Sequence, residues 1–173
     1  LIQQKDKKME YKHFTIAECM EEVNRRLYLP DIQRPYVWRE NDIYLLYDSI
    51  CRKFPINTVL FWYLKQETLK RGAPKKSVDI KRIRFIGARD EKPREESGAL
   101  EKEFYYLAID GQQRITSFYL TLHGTYKIKI KKEEYPAELY FNFSSGEIED
   151  ENEILYEFKF FRRDSKDVFI ESI

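Results

Sequence analysis

The feature that most constrains the fold of this 173-residue chain is an abrupt change of pattern, in which an apolar strand-like run at 104–109 leads directly into a helical pattern. Apolar residues recur at helical spacing from Ile115 to Leu122, and Gly124 lies where a C-terminal cap glycine belongs. The polar run Asp-Gly-Gln-Gln-Arg at 110–114 occupies the junction itself. A strand that leads into a helix through polar residues is a place where a functional site is easily built, and it is the first candidate site in this chain.

The side chains of the junction suit a phosphate group. The first N–H groups of a helix lack intrahelical partners and lie at the positive end of its dipole, so they can hold an anionic oxygen. Gly111 permits close approach of the backbone, Arg114 offers a cationic fork, and Gln112 and Gln113 supply neutral donors and acceptors. Asp110 offers a carboxylate for a hydrated Mg²⁺ or for orienting a water. The alternative is an ordinary turn and helix cap with solvated side chains.

A second polar segment lies at 29–38, between two helical patterns, and contains Gln33, Arg34, Tyr36 and Trp38. Its two prolines restrict the backbone, which predicts that Gln33 and Arg34 are presented on an extended chain. The aromatic side chains have two interpretations, as core residues or as platforms for stacking a base. Arg34 needs an anionic partner, either an internal carboxylate or a bound phosphate.

The two segments together identify a family resemblance. Gln-Arg-Pro-Tyr-Val-Trp at 33–38, a helix ending in Asp-Ser-Ile, a Phe-Pro-Ile strand and Ile-Asp-Gly-Gln-Gln-Arg-Ile-Thr at 109–116 form a specific combination. From about Phe14 to about Phe143 the chain resembles the N-terminal domain of the GmrSD-type modification-dependent restriction endonucleases. That domain looks shared with the phage-defence proteins BrxU and SspE. The resemblance implies a ParB/sulfiredoxin-like nucleotide-binding fold, which is α+β with a mixed sheet and flanking helices.

The resemblance also implies an activity, namely binding and hydrolysis of a nucleoside triphosphate with Mg²⁺ or another divalent metal, coupled to cleavage of modified DNA by a C-terminal nuclease domain or subunit. The implied catalytic residues are Gln33, Arg34, Asp110, Gln112, Gln113 and Arg114. The implied nucleotide-binding residues are Gly111, Thr116, Tyr36 and Trp38, and the implied metal ligand is Asp110.

In the phosphoryl-transfer mechanism that we expect, Arg34 and Arg114 clamp the developing phosphoryl charge. Arg114→Ala is then expected to lower turnover by orders of magnitude while circular dichroism stays close to wild type. Nuclease activity is not expected in this chain alone, because His13 and His123 are far apart without the neighbours of a histidine-metal centre, and each is more simply a surface or helix-end histidine.

Two other functions remain open. In the first, the domain is a nucleotide-independent DNA-sensing module in which the same residues grip a backbone phosphate or a modified base. In the second, it is a structural or interaction domain in which Asp110 pairs with the arginines, for example in a buried Asp110–Arg34 ion pair.

The charge distribution bears on DNA binding. The net charge is only +1, which argues against a uniformly basic surface that coats DNA. Residues 65–94 are nevertheless rich in lysine and arginine, whereas residues 147–157 are acidic. The basic stretch either follows a phosphate backbone or is a solvated loop, and its shortage of aromatic residues favours the loop.

Length and composition predict one compact domain over 1–173, with its core at 14–143 and meander strands at 144–173 that lead to a further C-terminal part. We therefore expect this chain to be an N-terminal fragment of a longer protein. We expect that protein to be cytoplasmic, because the apolar runs are too short for a membrane span and the N-terminus lacks a signal-peptide pattern. A homo-oligomer is possible. Cys19 and Cys51 are expected to be buried thiols, with a disulfide as the alternative.

Periodicity and cap signals predict the order of the elements. A capping box at Thr15–Glu18 opens a helix with an apolar side that runs from Ile16 to Leu27, and a second helix covers Glu40–Lys53. A polar loop and a charged insertion are predicted at 66–79 and 88–102. The predicted strands are 57–64, 77–86, 103–109, 126–130, 137–143 and 153–161, with a hairpin turn at 144–146.

Overall fold

The computed structural model describes residues 11–32, 34–65, 81–87, 92, 94–97, 102–123, 126–146 and 154–162. Within these ranges the helices are α1 (Ile16–Glu22), α2 (Glu40–Cys51) and α3 (Gln112–Leu122). The strands are β1 (Leu27–Pro30), β2 (Leu60–Lys65), β3 (Arg82–Ile83), β4 (Glu95–Glu96), β5 (Phe104–Asp110), β6 (Tyr126–Ile130), β7 (Glu133–Phe141) and β8 (Phe158–Arg162).

The larger sheet has five strands in the order β2-β5-β1-β3-β4. Strands β1 and β5 are parallel, with Leu27 opposite Tyr106, and the other neighbouring pairs are antiparallel. This mixed sheet with its helices confirms the predicted α+β class.

Helix α1 begins as predicted but ends sooner. The Thr15 N–H donates to Glu18 Oε2 (2.7 Å) and the Glu18 N–H donates to Thr15 Oγ1 (3.2 Å), which confirms the capping box. The prediction that the helix extends to Leu27 is wrong, because Leu27 is the first residue of β1. Asn24 has a left-handed backbone (φ +60°) that ends the helical region. All four residues of β1 are buried, and so short an apolar run does not distinguish helix from strand by period.

Several other boundaries differ from the predictions by a few residues. Helix α2 stops at Cys51 rather than Lys53, which has a positive φ of +59°. Strand β2 begins at Leu60, since Asn57 also has a positive φ of +67°. Strand β4 lies inside the segment predicted as a charged insertion, whereas the loop predicted at 66–79 lies outside the described residues.

The smaller sheet is the antiparallel meander β6-β7-β8. Strand β7 begins at Glu133, earlier than predicted, and includes Pro136. Proline fits there because β8 pairs with β7 only from Ala137 onward, so the missing N–H of Pro136 breaks no pairing with β8. The predicted turn after β7 is present, since the Ser145 N–H donates to the Asn142 carbonyl (3.1 Å).

The hydrophobic core has two clusters on the helix side of the molecule, and two helices contribute to both. Leu46 of α2 and Ile115 of α3 belong to the first cluster, which packs against the larger sheet. Ile43 of α2 and Leu120 of α3 belong to the second, which includes Phe160 of the meander. Packing on both sides fixes the position of α3, and therefore of the polar run at its start.

Candidate functional site

The candidate site is the junction between β5 and α3. Strand β5 ends at Asp110, and Gly111 caps the helix with a left-handed backbone (φ +84°) that glycine adopts without strain. A Cβ at this position would lie 2.9 Å from Val59 Cγ2. Val59 of this same chain therefore occupies the space beside Gly111, and approach of a phosphate to the Gly111 backbone stays a prediction.

Gln113 fastens the polar segment at 29–38 to α3. Its Oε1 accepts hydrogen bonds from the backbone N–H groups of Val37 (2.9 Å) and Trp38 (3.3 Å), and its Nε2 donates to the Pro35 carbonyl (3.1 Å). The side chain is buried, with 6% of its residue surface exposed. Every polar atom of this amide binds backbone, so Gln113 holds the segment 35–38 in place.

Gln112 differs from its neighbour in one important respect. Its Nε2 donates to the Arg34 carbonyl (2.7 Å), which brings the two polar segments together as their sequences suggested. Its Oε1 is buried and has no hydrogen-bond partner among the described residues. A buried unpaired acceptor is costly, so this oxygen is suited to a donor group that enters from outside the chain.

Arg114 is anchored to the loop before β2. Its guanidinium donates to the backbone carbonyls of Ile56, Asn57 (2.9 Å) and Thr58 (2.9 Å). Its Nη2 also lies 3.6 Å from Asp110 Oδ2, and only 13% of the side chain is exposed. These contacts hold the 56–58 loop against the start of α3, and a role of Arg114 as a phosphate clamp stays a prediction.

Asp110 is the most accessible polar side chain of the junction, with 71% of it exposed. The ion pair that the structure shows here is with Arg114, not the buried pair with Arg34 that we considered from the sequence. No group of three or more metal-ligating side chains occurs within the described part of the chain. A single exposed carboxylate still fits Mg²⁺, which commonly takes one or two protein carboxylates together with phosphate oxygens and waters.

The remaining predicted site residues lie around this junction, except Gln33, which is outside the described residues. Tyr36 is half-buried, and its hydroxyl lies 2.9 Å from Ser117 Oγ. Trp38 packs against the first core cluster, as a core residue does. Arg34 is exposed and Thr116 is buried in α3.

A small cavity of about 70 Å³, the motif pocket, joins several of these residues. Arg34, Tyr36, Gln112 and Thr116 line it, together with Arg84 and apolar side chains from β1 and the segment 83–86. Its volume is about twice the share of one water in the liquid, whereas pockets for drug-sized ligands hold about 300–1,000 Å³. The motif pocket therefore has room for one small group beside Gln112.

Arg84 is a charged lining residue that was not among the site residues predicted from the sequence. It directly follows β3. The only sequence signal was its membership of the basic stretch at 65–94. Periodicity could not place it, because β3 has just two residues.

The cysteines lie apart from the site. Cys51 is exposed and Cys19 is half-buried, so the prediction that both are buried thiols is wrong for Cys51, and both are free. Burial and the charge of Glu22 raise the pKa of Cys19 to about 11. Burial also raises the pKa of Cys51. Both histidines lie at the surface, as predicted.

The fold and the junction define a class of protein: an α+β domain in which a polar strand-to-helix turn is tied to a second glutamine- and arginine-containing segment. Residues 16–173 match the family described as GmrSD restriction endonuclease, N-terminal domain, and the chain belongs to this family. Membership supports a role in restriction and defence. The comparison with curated proteins gives no match. Among the described helices, none is long and apolar enough to cross a membrane.

Proposed function

We propose that this chain is the regulatory domain of a cytoplasmic modification-dependent restriction system, and that it binds and hydrolyses a nucleoside triphosphate. The domain would use a ParB/sulfiredoxin-like nucleotide-binding fold. Hydrolysis would be required for cleavage of modified DNA by a C-terminal nuclease domain or subunit. The family supports the restriction role and the nuclease partner, and the nucleotide chemistry is inferred from the residues.

The observation that carries the proposal is the meeting of the two polar segments at Gln112. One end of its amide binds the Arg34 carbonyl, the other end is a buried acceptor without a partner among the described residues, and Gln112 is one of the residues that line the motif pocket. An acceptor repels phosphate oxygens but accepts a hydrogen bond from water. Gln112 Oε1 is therefore suited to orient the attacking water, while the cation of Arg34 at the same pocket suits the phosphate.

The size of the motif pocket limits what enters it. About 70 Å³ accommodates a terminal phosphate or a water but not a whole nucleotide. The sugar and base would then lie outside the pocket, against the exposed part of the segment 34–38. Tyr36 is half-buried and lines the motif pocket, so we propose it as the residue that contacts the base.

The other motif residues have distinct roles in this proposal. Asp110 would hold Mg²⁺, which when bound neutralises charge on phosphate oxygens. Gln113 and Arg114 position the site, since their polar groups bind the backbone of 35–38 and 56–58. Gln113 and Arg114 would affect ligand binding indirectly, because they hold the loops at 35–38 and 56–58 in place.

The test is calorimetric titration of the purified chain with each of the four ribonucleoside triphosphates and Mg²⁺. Arg34→Ala and Asp110→Asn remove exposed groups without breaking the anchors of the fold. Arg25→Ala and Glu103→Gln are matched controls, because both residues are exposed and lie away from the motif pocket. We expect Arg34→Ala and Asp110→Asn to weaken binding about tenfold or more, as for loss of a charged contact, with both controls unchanged.

Gln112→Leu tests the hydrolytic part. It removes the buried acceptor at nearly constant size and also the Nε2 bond to the Arg34 carbonyl, so we expect phosphate release to fall by a larger factor than nucleotide binding does. Absence of binding to all four nucleotides would overturn the proposal. Salt-dependent DNA binding in that case would favour a nucleotide-independent DNA-sensing module.

A further inference from the structure

A second and larger cavity, the basic pocket, lies beside the motif pocket. It has a volume of about 230 Å³ and is lined by Asn24, the segment 84–87, Lys92, Arg94 and Tyr119. Arg84 and Ile86 line both pockets. The space is about eight times the share of one water in the liquid, which is room for a phosphate group with several of its waters.

The floor of the basic pocket is rigid. The Asn24 side chain makes two hydrogen bonds to the backbone of Phe85, since its Oδ1 accepts from the N–H (2.7 Å) and its Nδ2 donates to the carbonyl (3.0 Å). Phe85 is buried in the first core cluster and Ile86 in the second. A segment held by both clusters and by an amide keeps its shape without a ligand, which lowers the entropic cost of binding one.

The rim of the basic pocket is cationic. Arg84, Lys92 and Arg94 are three of its lining residues, and none of the lining residues that the structure describes is acidic. The Arg84 N–H donates to the Arg94 carbonyl (3.0 Å), so the two arginines come from adjacent, paired segments. Cations that converge on a polar cavity are the usual arrangement for an anion.

The charge of Arg84 is only partly neutralised by the carboxylate that it contacts. Glu96 accepts from Arg84 Nη1 (3.1 Å), but the same carboxylate also pairs with Arg82 Nη2 (3.4 Å). One negative charge is thus shared between two guanidinium groups. The Arg84 side chain remains 43% exposed toward solvent.

We propose that the basic pocket binds a phosphate group through Arg84, Lys92 and Arg94. The phosphate belongs either to the backbone of DNA or to a polyphosphate chain, since both present the same tetrahedral anion. This site adjoins the nucleotide site proposed above, but it is argued from Lys92 and Arg94, which do not line the motif pocket. Because the two pockets share Arg84 and Ile86, a ligand with more than one phosphate can reach both.

The test uses Lys92→Ala and Arg94→Ala, singly and together, in the full chain. The charge-matched control is Lys129→Ala with Lys132→Ala, both exposed on the meander side of the molecule. The probes are a short fluorescein-labelled DNA duplex, read by anisotropy over a series of salt concentrations, and inorganic triphosphate, read by calorimetry. Thermal unfolding of each variant verifies that the fold is retained.

We expect at least one probe to bind about tenfold more weakly for each lost contact. For DNA, the slope of log K against log salt should become shallower by about 0.9 for each phosphate contact removed. Weakening of DNA binding alone identifies the DNA backbone as the source of the phosphate, and weakening of triphosphate binding alone identifies a polyphosphate. Loss no larger than in the control double variant, for both probes, overturns the proposal.

Glu96→Gln gives an independent test with the opposite sign. The substitution keeps the size of the side chain and removes the charge that is shared by Arg82 and Arg84. Phosphate binding should therefore become severalfold tighter. Unchanged or weaker binding in a folded Glu96→Gln variant contradicts the proposal even if the alanine variants are unstable.

Discussion

The start of α3 and the basic pocket use polar residues in opposite ways. At the start of α3, Gln113 and Arg114 form their hydrogen bonds with backbone groups of neighbouring loops, and both side chains are largely buried. Around the basic pocket, the Arg84 side chain is 43% exposed and shares one carboxylate with Arg82. Polar residues that look alike in the sequence therefore differ in the structure, because some bind the backbone of neighbouring loops and others keep part of their charge in contact with solvent.

The largest expected effect concerns the backbone of the junction. Gly111→Ala places a Cβ at φ +84° and 2.9 Å from Val59 Cγ2. Left-handed strain and overpacking together should lower the free energy of unfolding by about 3 kcal/mol. Urea denaturation with circular dichroism measures this.

A double-mutant cycle with Val59→Ala separates the two causes of that loss. In the Val59→Ala background the overpacking disappears, so Gly111→Ala should cost only the strain of about 1–2 kcal/mol. An equal cost in both backgrounds would show that Val59 does not restrict this position.

The next effect compares the two adjacent glutamines. Gln113→Met leaves two backbone donors and one carbonyl without their partner and should cost about 2 kcal/mol of stability. Gln112→Met loses one hydrogen bond but also removes a buried oxygen that has no partner among the described residues, so its cost should be about 0.5 kcal/mol. Unfolding of both variants under one buffer condition tests the ranking, and equal costs would remove the distinction between the fully bonded and the partly bonded amide.

A smaller difference is expected between the two arginines. Arg114→Ala removes hydrogen bonds to three carbonyls and should lower stability by about 1.5 kcal/mol. The loss is no larger because water can replace part of the lost hydrogen bonding at those carbonyls. Arg34→Ala removes an exposed side chain and should change stability by less than about 0.5 kcal/mol.

Nucleotide titration of the same two variants then compares ligand binding with stability. The structure changes our expectation for Arg114→Ala, which should lose stability as well as activity. Retained wild-type stability with lost turnover would restore Arg114 as a phosphate clamp.

The smallest effect lies outside both sites and concerns the cysteines. Because the pKa of Cys19 is raised to about 11, its reactive thiolate is a minor species at pH 8 and increases as the pH approaches 11. Cys51 is exposed, so iodoacetamide at pH 8 should modify it about tenfold faster than Cys19. Mass spectrometry of wild type and Cys51→Ser measures the two rates, and faster labelling of Cys19 would contradict its burial.

The sequence predicted the elements that have strong local signals. The capping box at Thr15, the second helix from Glu40 and the strand-to-helix change around Gly111 were all correct, because cap chemistry and long periodic runs act locally. Leu27 was assigned to a helix because four buried residues in a row have no distinguishing period. Strands of two residues, such as β3 and β4, exist only through their partners and leave no local pattern.

The residue types and their spacing along the chain were enough to show that residues 33–38 and 110–116 form a specific pair of motifs, and the family match agrees with this pair. Only the tertiary structure decided which polar atoms in those segments have hydrogen-bond partners. Gln112 and Gln113 are the same residue type at adjacent positions of one helix, yet the Gln113 amide is fully bonded and the buried Gln112 oxygen has no partner among the described residues. The physical reason is that adjacent helical side chains point about 100° apart, so only the distant segment that packs there determines the partners of each.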